Sequence, residues 1–415
     1  MKLIGAATVI AGASSAFGQL ATIEYIAFGS PAAGGYEVAA LSDDGRHLVG
    51  SGCTRAMFCG EEAFVLTPSG LQLLGTLPAR ESYARGISGD GTVTVGASYV
   101  LANGDYEAFR WTKGGGVRGL GRLEPGAFSS ASDASADGSI IVGGATLDAR
   151  ARAFVWTERG GMRAIAHPPG FEGASGAAGI TPDGRVVVGS MWPDLGLAPH
   201  FHTPGFAFRW TNEGGMVNIG RPVGTTSVHP TGVSDDGGTI VGTAYGWERH
   251  RPFRWTEQTG MSFLEEPEES RDTFARGMDS DAGVVVGDAL LTSGPHLLTW
   301  SDRGMQGLEQ VLEDRYAMTV PLDPVMVSAK AISSDGMTIA GEAYVDSRHV
   351  AYVIRLASPI DCYGDYFADG VKNVFDFVHF QQEFMLGEDE ADCDQNARLD
   401  LYDFLCFQNA FVAGC

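Results

Sequence analysis

Two stretches near the C-terminal end carry the side chains best suited to chemistry. Residues 365–376 read DYFADGVKNVFD and residues 392–403 read DCDQNARLDLYD. A calcium-sized cation takes six to eight oxygens, and a twelve-residue loop can supply them from positions one, three, five, seven (through the main chain), nine and twelve. The second stretch offers Asp392, Asp394, Asn396, the carbonyl of Arg398, Asp400 and Asp403, an oxygen at every required position. The first offers Asp365, Asp369, the carbonyl of Val371, Asn373 and Asp376. Phe367 stands at its third position and cannot ligate, so water or a shifted carboxylate has to fill that place. Gly370 sits where the loop turns sharply, whereas the second loop has Ala397 there; if that turn needs positive φ, Ala costs roughly 1 kcal/mol. Up to two Ca2+ ions are expected.

The elements that position these loops are helices on their C-terminal side, FVHFQQEF and FLCFQNAF. The two copies are offset by 27 residues, pairing Asp365 with Asp392 and Phe377 with Phe404. In each helix Phe recurs at i, i+3 and i+7 (Phe377, Phe380, Phe384, then Phe404, Phe407, Phe411), which is one helical face. The two faces are expected to pack on each other. Neither loop has a convincing helix before it: SPIDCYG contains Pro and Gly, and GEDEAD is very short. Residues 361–415 hold 12 acids and 2 bases, a balance of −10 that bound cations would relieve.

Before this tail a turn-plus-strand unit recurs seven times, from LSDDGRHLVG to ISSDGMTIAG, closing on Gly50, Gly96, Gly143, Gly189, Gly242, Gly287 and Gly341. A period in the forties built of short strands indicates a propeller. Each unit continues into a strand such as AFRWT, with Phe64, Phe109, Phe154, Phe208, Phe253, Leu298 and Tyr352 at one position and Leu66, Trp111, Trp156, Trp210, Trp255, Trp300 and Ile354 two residues on. Residues i and i+2 share a strand face, and their recurrence in every unit predicts packing between blades. A Gly-rich turn and a fourth strand follow. The expected fold is mainly β: a seven-bladed β-propeller of four-stranded blades plus a small α-helical domain with paired calcium loops. The seventh unit lacks its fourth strand, and Ile23–Ile26 is predicted to supply it, closing the ring and removing a sheet edge.

This topology puts the Asp-Gly and Gly-Gly turns on one face and the long, irregular connections on the other. The irregular segments include GCTRAMFCGEE and MWPDLGLAPHFHTPG and carry Tyr99, Tyr106, Trp192, Phe201, Tyr245 and Trp247. Such loops suit recognition of a glycan or protein ligand, or they cap the ends of the blades.

The chain begins MKLIGAATVIAGASSAFG, which reads as a secretory signal over residues 1–18, with Ala21 an alternative cleavage point. The domains are then 19–356 for the propeller and 357–415 for the tail, and localisation is expected to be secreted, extracellular or cell-surface associated. Six cysteines fit an oxidising compartment. Cys53 and Cys59 can close one loop. Cys362, Cys393, Cys406 and Cys415 allow three connectivities, of which Cys362–Cys415 would clasp the ends of the duplicated unit. A net charge of −23 argues against nucleic acid, and no further apolar run is long enough for a membrane span. No nucleophile elbow, phosphate loop or zinc pattern is present, and His200 with His202 has no third ligand placed by sequence.

The repeats resemble the HAF repeat of bacterial extracellular proteins, best over residues 75–111, GTLPARESYARGISGDGTVTVGASYVLANGDYEAFRW. The tail resembles a dockerin domain of the type ending Gly-Cys, here Gly414-Cys415. That resemblance implies calcium-dependent binding to a cohesin-like or other cell-surface receptor through residues 361–415. It implies contact residues at Val374-Phe375 and Leu401-Tyr402, where many dockerins carry small hydroxyl side chains instead. Together the two resemblances imply a secreted repeat protein held in place by its tail, and the lack of a catalytic motif in the sequence favours a non-catalytic binding or scaffold propeller. The alternative is a polysaccharide-degrading glycoside hydrolase component, and a third reading is a structural envelope protein.

Overall fold

The computed structural model describes residues 10–11, 21–26, 36–53, 60–78, 81–100, 104–194, 204–316, 318, 325–345, 348–356, 374–386 and 407. The chain divides into two compact units, one formed by the repeats and one holding the tail. The repeat unit is a seven-bladed β-propeller. Blades one to six are four-stranded antiparallel sheets within residues 36–73, 82–121, 129–164, 173–220, 227–263 and 272–307. The first strands of successive blades contact one another all the way round, and the first strand of blade seven meets that of blade one, so these strands surround the central channel.

The strand sequence explains a device repeated in every blade. In each first strand an extra residue just past the closing glycine's partner interrupts the register, forming a β-bulge: Ala39, Arg85, Ser132, Ala178, Thr231, Arg276 and Lys330, with a second interruption at Val327 in blade seven. Opposite the bulge on the second strand stands the glycine that closes each repeat. The bulge presses the first strand so close that a Cβ on Gly50, Gly96 or Gly189 would lie 2.1, 1.9 or 2.1 Å from a carbonyl oxygen. At Gly189 and Gly143 the same Cβ would strike the ring of Phe208 or Phe154 at 2.8 or 2.9 Å. Glycine is therefore required for two reasons, one on the first strand and one on the third.

That third-strand aromatic is the centre of the core. Phe109, Phe154, Phe208 and Phe253 are fully buried. Each joins a cluster spanning two blades: Phe154 and Trp156 pack with Val93, Val95 and Leu120 of the blade before, and Phe109 and Trp111 with Val49, Ala63 and Leu74. The predicted packing of this pair between blades is what the structure shows.

The turn face has its own repeat chemistry. In the Ser-x-Asp-Gly turns the Ser hydroxyl donates to the Asp carboxylate, which accepts the amide two residues on, and the hydroxyl accepts the amide five residues on. Ser234, Asp236 and Thr239 make these bonds at 2.6 to 2.9 Å. The main chain then links blade to blade: Asp43 N donates to Gly89 O, Asp90 N to Ala136 O, Ala136 N to Pro182 O, Asp235 N to Ser280 O, Ser280 N to Ser334 O, and Ser334 N back to Asp43 O. Pro182 has no N–H, and there the circle lacks its donor. Asp133 adds a side-chain tie between blades three and four. Its carboxylate accepts the amides of Ala134 at 2.8 Å and of Ile180 in the next blade at 3.1 Å.

Blade seven closes the ring as the sequence predicts. The strand Ala21–Ile26 pairs beside Arg348–Leu356. Beyond it, Ile10 and Ala11, within the expected signal segment, pair antiparallel with Tyr25 and Glu24. Cys53 is disulfide-bonded, in keeping with the expected loop to Cys59, which lies outside the described residues. Two helices complete the described elements, Leu308–Tyr316 and Val374–Leu386. In the tail unit the rings of Phe380 and Phe407 stack at 4.0 Å with planes 2° apart, and both are fully buried. These are equivalent positions of the 27-residue duplication, so two of its matching residues meet.

Candidate functional site

The long connections between second and third strands, and those between blades, lie on one face, where the sevenfold pattern breaks down. Five exposed large apolar residues sit there: Phe128, Val223, Trp247, Leu290 and Tyr344, with Val223 99% and Trp247 72% exposed. None of the exposed large apolar residues among those described lies in the Asp-Gly turns of the other face. The loops of Val223 and Trp247 are neighbours, since Thr226 N donates to Tyr245 O at 2.7 Å just before Gly246 and Trp247.

At this mouth a line of rings crosses blades four, five and six. Trp192 lies 5.9 Å from His229, His229 4.8 Å from Tyr245, Tyr245 4.5 Å from His250, and His250 5.7 Å from Phe274. Each residue stands where its strand meets the loop face. The rings meet at angles between 52° and 73°, so they form a faceted wall rather than one flat platform. Burial lowers the His229 imidazole below its ordinary range and raises the Tyr245 hydroxyl above its own, with the Arg276 charge opposing the latter. Asp272 accepts the His250 amide at 2.8 Å and stands 4.0 Å from its Nδ1. A second aromatic group lies in blade two, where Tyr106 packs edge-on against Tyr83 and Tyr99 and donates to Glu81 at 3.2 Å.

Below the mouth two bulge residues, Arg276 and Lys330, form half-buried ion pairs. Arg276 donates Nε and Nη2 to Asp288 at 2.8 and 3.2 Å and lies 4.3 Å over the ring of Phe274. Burial raises the Asp288 carboxyl, opposed by that guanidinium. In blade seven Glu342 has Lys330 and His349 each at 3.5 Å and accepts the Val38 amide of blade one at 3.3 Å. Burial works against ionisation of Glu342, but these donors outweigh it and hold the carboxyl below its ordinary value.

No family model matches the chain, and no curated protein matches it in sequence. Solved propellers do match in shape. An oligogalacturonate lyase from Vibrio parahaemolyticus superposes with a TM-score of 0.56 at 13% identity, over 84% of this chain and 96% of that one. The β-propeller domain of the Trilobed protease from Pyrococcus furiosus, of open velcro topology, gives 0.52 at 9% identity over 77% and 94%. The chain spans 64% of the length of a TolB from Acinetobacter baumannii, with 64% of its own residues aligned, at 12% identity and a TM-score of 0.42. At such identities the likeness is one of fold.

Of the loop aromatics singled out from sequence, the structure brings Tyr99 and Tyr106 together and joins Trp192 to Tyr245 through His229. Trp247 stands exposed nearby, while Phe201, His200 and His202 lie outside the described residues. Asp376 falls in the first turn of the tail helix. The other expected calcium ligands (Asp365, Asp369, Val371, Asn373, Asp392, Asp394, Asn396, Arg398, Asp400, Asp403) and the four tail cysteines lie outside the described residues. Sequence reasoning missed Tyr83, His229, His250 and Phe274. A usable signal existed for three of them. Aligning the first strands places Glu37, Tyr83, Ser130, Gly176, His229, Phe274 and Ser328 at one repeat position, and variation at a position whose neighbours repeat is what a recognition surface would show.

Proposed function

We propose that this chain is a secreted, non-catalytic propeller of the HAF-repeat kind that binds a glycan at the loop-rich mouth and is held in place through a dockerin-like, calcium-dependent tail. The observation that carries the glycan reading is the wall from Trp192 to Phe274. It offers apolar ring faces and hydrogen-bonding edges side by side, and a sugar presents the matching pair, C–H faces and hydroxyls. Exposed Trp247 adds a ring at the rim. The tail reading rests on its two oxygen-rich loops and is supported by the Phe380–Phe407 stack, which joins equivalent residues of the duplicated unit.

The test is calorimetry on the full-length oxidised chain with a panel of hexasaccharides, followed by Trp192→Ala and Trp247→Ala. Binding of at least one sugar, weakened tenfold or more by either substitution, supports the proposal. Failure of every sugar to bind, or sugar release into solution, overturns the non-catalytic glycan reading. The tail is tested separately by calcium titration after chelator stripping. Two binding events with a gain in helix are expected, and no binding up to millimolar calcium removes the attachment reading.

A further inference from the structure

The seven bulges offer a comparison at constant height around the channel. They place Ala39, Arg85, Ser132, Ala178, Thr231, Arg276 and Lys330 at one level of the innermost strands. Three of the seven are cations and none is an acid, in a chain with 28 basic and 51 acidic residues. The cations lie on one arc, blades six, seven and two, with Ala39 of blade one leaving space between them. The facing arc, blades three to five, is neutral. Each cation is set differently. Arg276 is clamped through Nε and Nη2 by Asp288 and braced on Phe274, and its remaining amino group, Nη1, makes no hydrogen bond among the described residues. Lys330 is held beside Glu342. Arg85 is exposed and makes no ion pair to a carboxylate among the described residues.

We infer that this arc is an anion subsite, and that the glycan taken at the mouth is an acidic one whose carboxylate or sulfate reaches Arg85, Arg276 and Lys330 while its sugar rings rest on the aromatic wall. The inference rests on the glycan reading above and adds the charge of the ligand. A guanidinium fixed by a buried carboxylate loses little freedom on taking up an anion, which makes such an arginine effective. The wall at the mouth also holds acids. Glu81 already accepts the Tyr106 hydroxyl and Asp272 the His250 amide, while Glu37 is exposed. The net charge of −23 repels an anion at a distance, but beyond about 8 Å that repulsion is screened at physiological ionic strength. The charges close to the arc therefore matter more to binding than the net charge of the chain.

The experiment compares matched hexasaccharides, one neutral, one carboxylated (oligogalacturonate) and one sulfated, by calorimetry on the full-length oxidised protein in 0.15 M salt. Two variants are used: Arg85→Gln, which disturbs no ion pair among the described residues, and the double Arg276→Gln/Asp288→Asn, which removes a half-buried pair together and leaves no stranded charge. The expected result is that an acidic sugar binds at least tenfold tighter than the neutral one, that each variant removes most of that preference, and that Arg85→Gln leaves neutral binding unchanged. Which of the two acidic probes binds identifies the anion. Equal binding of neutral and acidic sugars, or acidic binding that both variants leave intact, overturns the anion subsite while the glycan reading survives. If no hexasaccharide binds, both fall. If acidic sugars bind equally to wild type and Trp192→Ala but not to Arg85→Gln, the anion subsite stands and the aromatic wall is not the sugar site.

Discussion

The two faces of the propeller are built from the same strands and differ in how they treat repetition. On the turn face six turns repeat the same hydrogen bonds through a Ser or Thr hydroxyl, blade six uses the Asp279 carboxylate in its place, and the main chain runs from blade to blade in a circle broken only at Pro182. On the loop face no two blades agree: blade two gathers tyrosines, blades four to six a mixed line of rings, and blade seven Tyr344 against His349 at 5.2 Å. Where a residue repeats, it serves the fold. Where one blade departs from the others at a fixed position, the departure is free to serve a ligand. Asp133 shows that the rule has local exceptions, since it departs from the Gly or Ala of other blades on the structural face and acts there as a bond between blades.

The contrast can be broken by substitution. Gly189→Ala places a Cβ 2.1 Å from the Gly176 carbonyl. It should cost about 3 kcal/mol or more in urea unfolding, and an unchanged midpoint would mean the bulge yields. Asp133 comes next. Burial is the largest cause, helped by the Asp43 charge, and together they raise its carboxyl to about 7 against the amides that favour ionisation. A folded-state value above the unfolded 3.8 makes its contribution complete below about pH 4 and lost as pH rises through 7. Asp133→Asn should therefore unfold less readily than wild type at pH 8, by at most about 4 kcal/mol, and the advantage should vanish at pH 4. Thermal unfolding at the two values decides, and a parallel shift at both would refute the assignment.

Glu342 carries the opposite sign. Its folded value is depressed, so its contribution is present above the unfolded carboxylate value and is lost as pH falls through the folded one. Glu342→Gln should destabilise near pH 7 and lose its effect in acid. Ser234→Ala removes the hydrogen bonds its hydroxyl makes to Asp236 and Thr239 and should cost about 1 kcal/mol with glycan binding unchanged, whereas Trp247→Ala should leave stability within about 0.5 kcal/mol and weaken glycan binding. A Ser234 variant that lost binding, or a Trp247 variant that lost stability, would erase the division between the faces.

Much of the structural face was legible in the sequence. Seven turns, seven glycines and the Phe-x-Trp pair announce themselves by recurrence, and the orphan strand Ile23–Ile26 follows from counting strands. The reason for each closing glycine was not legible, because the bulge that makes it necessary is an interruption of pairing and leaves no composition of its own: Ala39, Arg85 and Thr231 share no chemistry. The ring line was only half legible. Trp192 and Tyr245 stand in loops rich in aromatics, but His229 and His250 lie inside strands and meet them only because successive blades come side by side. Arg276 and Asp288 are likewise joined across a hairpin register that charge spacing alone does not reveal.

The closing blade has a mechanical consequence. The chain leaves the propeller at Leu356, at the end of a strand that lies between Thr338–Val345 and the closing strand Ala21–Ile26. By the alternation of strand direction that end belongs to the turn face, opposite the mouth. Tension arriving through residue 356 would run along this strand and shear two hydrogen-bonded ladders together, instead of opening either one bond at a time. A clasp made from the two ends of the repeat region grips hardest when pulled lengthwise.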